Sequence, residues 1–337
     1  MKNIEFTPGA ITPKVHPLSY EFGGMTPIKE TLLFPNNSVT EWLSTDPFVQ
    51  RGVYFDTWGC VGHSLINSVQ ILIHRQLAQF SPANKAWAMR ELYKDDYPYL
   101  SHRDLVVLSE TVHGRGNTGM KVLATAEKQG VVIDELAPWN MRERDPEVNS
   151  LEKYFLYGRT PEAKEFAREF NERLEITGEW TYRNGWEQAS KYGVLQMYVN
   201  AWHQRDGVYF NPTGRTNHAV IMEDYNKTTI FDTYNPFTKK LRSWDDAHQV
   251  ALKINLIEKH MEKLNIPNNT LLILVEAPGG IGLFLDGKII IDDEAKINSV
   301  FMARNSKNNF FTGGPTMSLT LEQWQSFPHI NLRGEDL

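Results

Sequence analysis

Of 337 residues only one is cysteine, Cys60. That scarcity excludes an internal disulfide and any multi-cysteine zinc or iron–sulfur site. No apolar run approaches the length of a membrane span, and the N-terminal stretch MKNIEFTPGAITPKVHPL has no apolar h-region, so no membrane or export signal is read. There is no basic block either: the formal net charge is -6, and the diffuse phosphate attraction behind non-specific nucleic-acid binding is not favoured. Repeats of solenoid or propeller period and low-complexity segments are likewise absent.

What is present is ordinary globular composition, with 41% hydrophobic and 23% charged residues. Pro8, Pro13, Pro17, Pro27 and Pro35 punctuate residues 1–45. These read as an extended arm packed on the body near its cleft. From Cys60 the apolar residues Val61, Leu65, Ile66, Val69, Leu72, Ile73 and Leu77 recur at steps of three and four, predicting a helix to about Phe80. Shorter helices are predicted over Asn84–Tyr93, Gly119–Gln129 and Pro161–Leu174, the last with Thr160 as N-cap and Pro161 at its first position. Beyond Gly193 the texture turns to strands at Val194–Val199, His218–Met222, Thr229–Asp232 and Ala251–Ile257. A helical half followed by a sheet half implies an α+β fold of two subdomains meeting at a cleft. The expected domains are the arm (1–45), a main body (46–262) and, after a linker at Lys263–Thr270, a small β appendage (268–337) folded back at Asp286-Gly287.

A lone cysteine is most often a small buried hydrophobe. Cys60, however, follows Trp58-Gly59 and opens the long helix, where unpaired N–H groups and the macrodipole favour a thiolate. A general base is expected from a distant segment. Among ten histidines His218 starts an apolar strand, and Asp232 ends the next one fourteen residues on, so adjacent antiparallel strands would set the two side by side. His63, three residues after Cys60 on the same helix, is the competitor. Gly114-Arg115-Gly116-Asn117-Thr118-Gly119 also matches a dinucleotide fingerprint, with Asp134 twenty residues after Gly114, and a nucleotide-dependent oxidoreductase is kept as a rival.

Several blocks in order resemble the papain-like cysteine peptidase family, in its compact bacterial or phage form: Gly59-Cys60-Val61-Gly62 before the long helix, Leu100-Ser101 with Leu105-Val106, Gly116-Asn117-Thr118-Gly119, EKQGVVIDELAP at 127–138, Gly193-Val194-Leu195, Asp206-Gly207-Val208-Tyr209 and Asn217-His218-Ala219-Val220. The resemblance implies a papain-like two-subdomain fold, helical on the left and β-rich on the right. It implies a thiol protease acting on a peptide or protein substrate through Cys60, His218 and Asp232, without metal or organic cofactor. Asp232 stands where the family has asparagine, and Tyr234 where it has a shielding tryptophan. The family's oxyanion glutamine would fall six residues before the cysteine, which is Tyr54; Gln50 is the nearest upstream glutamine and is assigned that role. Trp58, Asn117, Gly119 and Tyr234 are the implied cleft residues, Thr118 replacing the loop's first glycine. A retired papain-like binding module and a thiol amidase acting on cell-wall peptides stay open. An assembly partner is expected on the C-terminal appendage, and a cytoplasmic or virion-associated location.

Overall fold

The computed structural model describes Ala10, residues 31–201 and 203–259, and, further on, strand segments within 273–331 with Thr320 and Gln325. The chain divides into two units, 1–259 and 260–337.

In the first unit, α1 (Cys60–Gln76) is an interior helix, with fourteen of its seventeen residues buried. It stops at Gln76, short of Phe80, because the chain turns there: the N–H groups of Gln79 and Phe80 both reach the Gln76 carbonyl, and the Phe80 ring enters the core. Ser81 then caps α2 (Pro82–Glu91) by accepting from the Asn84 N–H, so α2 opens two residues earlier than its apolar pattern suggests. A hairpin of β1 (Tyr93–Lys94) and β2 (Tyr97–Pro98) leads to α3 (His102–Leu108), capped by Ser101. Helix α3 lies close against α1, since a Cβ on Gly62 would fall 2.7 Å from the Val106 side chain. After α4 (Gly119–Gln129) and α5 (Leu151–Phe155), α6 (Pro161–Arg173) begins at the Thr160 cap with Pro161 in its first turn.

The chain then runs straight from α6 into β3 (Leu174–Tyr182), a strand whose alternation is interrupted at Gly178, where a Cβ would meet the Leu123 side chain at 2.7 Å. It continues through α7 (Trp186–Ala189), β4 (Val194–Val199), β5 (His203–Arg205), β6 (Val208–Phe210), β7 (His218–Asp224), β8 (Thr229–Phe231), β9 (Thr238–Leu241) and β10 (Val250–Glu258). These strands form one sheet, in the order β3-β10-β4-β7-β8-β9-β6-β5, antiparallel except where β6 meets β9. Every residue of β4 and β7 is buried, as expected for central strands covered on both faces.

Val61, Leu65 and Ile66 of α1 share one core with Ala219, Ile221, Leu252 and Ile254 of the sheet and Leu123 of α4. The described helical and sheet halves of the first unit therefore share one core. The α+β architecture rests on that shared core.

The second unit is a five-stranded sheet in the order β14-β11-β12-β13-β15, formed by β11 (Ile273–Ala277), β12 (Gly280–Leu285), β13 (Lys288–Ile291), β14 (Thr316–Ser318) and β15 (His329–Asn331). Strands β11 to β13 form an antiparallel meander, and β14 and β15 add in parallel at its edges. Leu285 pairs with Lys288; the Asp286-Gly287 turn between them, the linker at 263–270 and most of residues 1–30 lie outside the described residues. None of the described helices is long and apolar enough to cross a membrane.

Candidate active site

Cys60 is the first residue of α1 and fully buried. Its helix N–H has no intrahelical acceptor, and the Ala219 N–H donates to its Sγ at 3.4 Å. The first turn is pinned to the sheet. Gln196 Nε2 on β4 donates to the Val61 carbonyl at 2.9 Å and to Ser64 Oγ at 2.7 Å, and Ser64 Oγ donates to the Cys60 carbonyl at 2.7 Å.

His218 opens β7 opposite Val199 of β4, and Asp232 follows the end of β8, the antiparallel neighbour of β7. That register sets His218 Nε2 2.7 Å from Asp232 Oδ1, which also accepts the Thr233 N–H at 2.7 Å. Asp232 Oδ2 lies 2.8 Å from Lys239 Nζ on β9, and the Lys239 ammonium donates further to the carbonyls of Tyr234, at 2.5 Å, and Pro236. The side chains of His218, Asp232 and Lys239 are at most 2% exposed. Burial opposes charge on His218, but the Asp232 carboxylate, the neighbouring Cys60 sulfur and hydrogen bonds to both push its pKa up to about 10. Burial likewise opposes the Asp232 charge, yet His218 and Lys239 hold it below the usual carboxylate range. Lys239 is lowered by its burial, with Asp232 pulling the other way.

A polar network ties the segment before Cys60 to the segment after Asp232. Gln50, fully buried, donates through Nε2 to Asp56 Oδ1 and to the Tyr234 hydroxyl, both at 2.9 Å, and its backbone N–H reaches the Thr233 carbonyl at 3.3 Å. Tyr234 in turn donates to Asp56 Oδ2, with its ring 5.1 Å from that of His218. The structure thus gives both amide hydrogens of Gln50 a bracing use. Trp58, at φ 50°, donates its N–H to Asp56 Oδ1 at 2.8 Å. With Tyr54, Asp56 and His113 it lines a cavity of about 550 Å3 that reaches across to Asn149 and Leu151; neither Cys60 nor His218 lines it.

Asn117 is buried and holds its loop, donating through Nδ2 to the Ser109 carbonyl at 2.8 Å and accepting the Thr118 N–H at 2.8 Å. Gly119 opens α4 under the Tyr198 hydroxyl: a Cβ there would sit 2.1 Å from it. Ala10 bridges Asn117 in parallel, and its N–H donates at 2.9 Å to the carbonyl of Asn217, the residue before His218. Ala10 therefore lies buried at the edge of the site.

His63 is buried beside His102, ring centroids 4.9 Å apart, and among the described residues neither of its nitrogens has a hydrogen-bond partner. Burial, reinforced by the His218 charge, drops its pKa to about 3, so it stays neutral and cannot hold a proton for Cys60. The glycine-rich run at 114–119 follows helix α3 and a loop, where the dinucleotide fingerprint needs a strand, and that rival loses its basis. Among the described residues, no group of three or more His, Cys, Asp or Glu side chains comes together to hold a metal ion.

Lys239 and Asp56 escape a reading by motif. The signal for Lys239 was alternation: in Thr238-Lys239-Lys240-Leu241 the buried positions are Lys239 and Leu241, so one lysine faces inward with a leucine. Asp56 carries no such periodic mark.

No protein-family model and no curated protein matches the chain. Among solved structures it is similar to xylellain, a cysteine protease from Xylella fastidiosa, at 14% identity over 72% of this chain and 95% of that one, with a TM-score of 0.41. It is similar to the Carica candamarcensis cysteine protease CMS1MS2 at 13% identity over 64% and 94%, TM-score 0.37. It is also similar to the digestive procathepsin L 3 of Tenebrio molitor at 9% identity over 67% and 74%, TM-score 0.38.

Proposed function

We propose that the protein is a papain-like cysteine hydrolase that cleaves peptide or related acyl bonds through Cys60, His218 and Asp232. The observation that carries this reading is the buried line from Cys60 through His218 to Asp232, with the Ala219 N–H on the sulfur and an aspartate favouring the imidazolium. In the proposed cycle, Cys60 Sγ attacks the acyl carbon and His218 gives its proton to the leaving amine, leaving a thioester. Water then attacks the thioester as His218 takes its proton, releasing the acid and regenerating the Cys60 thiolate beside a protonated His218. The Cys60 N–H, at the positive end of α1, faces the developing oxyanion; such donors are worth roughly 2.7–4 kcal/mol each in the transition state.

Because there is a single thiol, labelling is direct. Iodoacetamide at neutral pH is expected to modify native Cys60 faster than the unfolded chain does, and His218→Ala is expected to slow native labelling by roughly 10²-fold. Native labelling no faster than in the unfolded chain would instead put a retired binding module first. Where native labelling is fast, a screen of peptides against cell-wall muropeptides separates protease from amidase.

A further inference from the structure

Four side chains that can carry charge meet out of contact with bulk water. Cys60, His218, Asp232 and Lys239 are each at most 2% exposed, and Lys239 meets the carboxylate oxygen that His218 does not use. We propose that Lys239 is a positioning residue for catalysis, whose ammonium, acting through Asp232, balances the charge that lets Cys60 exist as a thiolate beside an imidazolium.

The argument is a charge count. With thiolate, imidazolium, carboxylate and ammonium in place, the cluster is neutral. Without the ammonium, the imidazolium is already matched by Asp232, and the thiolate becomes a surplus charge in a buried site. The least costly relief is a proton on sulfur. An amide at 232 needs no counter-ion, which is why the requirement for Lys239 follows from the aspartate at that position.

The other groups facing the cluster do not supply the missing charge. His63 on α1 is held neutral by burial, Tyr198, Tyr209 and Tyr234 are pushed up as phenols, and Asp56 shares its oxygens among Gln50, Tyr234 and the Trp58 N–H. Lys239 also has a bracing use on the Tyr234 and Pro236 carbonyls. The experiment therefore has to separate charge from bracing.

This inference rests on the reading of Cys60 as the nucleophile. Its test is the pH dependence of iodoacetamide labelling in the full-length protein, with thermal melting alongside. In Lys239→Met, and in Lys239→Gln, which keeps a donor for the two carbonyls, the rising limb of the labelling profile is expected to move up by at least one pH unit. Labelling on the wild-type limb then falls at least tenfold. In Asp232→Asn/Lys239→Met the limb is expected to return to within about half a unit of wild type. Fast wild-type labelling with an unmoved limb in Lys239→Gln would overturn the role of Lys239 alone, as would a double variant whose limb stays shifted. Wild-type labelling no faster than the unfolded chain would remove the nucleophile reading, and this inference with it.

Discussion

His63 brings an ionisable ring into the interior with neither nitrogen partnered among the described residues, and its effect on stability has a definite sign. Its folded-state pKa is depressed to about 3, against 6.5 when free. Between those values the unfolded chain binds a proton that the native chain does not, so stability falls on acidification. At pH 4.5, two pH units below the free value at roughly 1.36 kcal/mol each, the cost from this group alone is about 3 kcal/mol. His63→Phe, which keeps a ring against His102, is expected to flatten the loss of urea stability between pH 7 and 4.5. An unchanged acid slope would show that other groups carry it. His218 works in the opposite direction. Raised to about 10, it contributes stability that is fully present below about 6.5 and lost as the pH climbs toward 10. The two histidines differ because Asp232 is hydrogen-bonded to His218 and acts on His63 only from a distance.

At the scale of elements, the close approach of α4 to β4 depends on Gly119, since a methyl there would meet the Tyr198 hydroxyl. Gly119→Ala is expected to destabilise by about 1–3 kcal/mol. Adding Tyr198→Phe removes the obstructing oxygen and is expected to recover a good part of that loss in a double-mutant denaturation cycle. Strict additivity of the two would mean the helix start relaxes by some other route. Most elements near the site were legible because their cause is local. The stripe after Cys60, the Thr160-Pro161 start of α6 and the largely apolar run at Val194–Val199 each carry their own pattern. Strand β3 was not, because Gly178 breaks its alternation for the sake of Leu123, a residue far away in the sequence. Helix α3 is only seven residues long, too short to show a period.

For the whole molecule, the contact of Ala10 with Asn117 and Asn217 joins the N-terminal arm to the edge of the site. Deleting residues 1–30 is expected to raise the labelling rate of Cys60 at least threefold while leaving the melting transition cooperative, because Phe34 and Val39, which anchor the chain to the body, remain. An unchanged rate in a natively folded deletion variant would show that Ala10 does not limit access. The sequence alone determined that this chain has one thiol, that the thiol starts a helix, and that a histidine and an aspartate stand near the ends of successive strands. Those are facts of order and spacing, and local periodicity is enough to read them. Only the tertiary structure decided that Lys239 turns inward onto Asp232, that the Gln50 amide is spent on Asp56 and Tyr234, and that His63 is held neutral. Each of these depends on which charges and dipoles meet after water has been excluded, and that is set by packing between segments far apart in the chain.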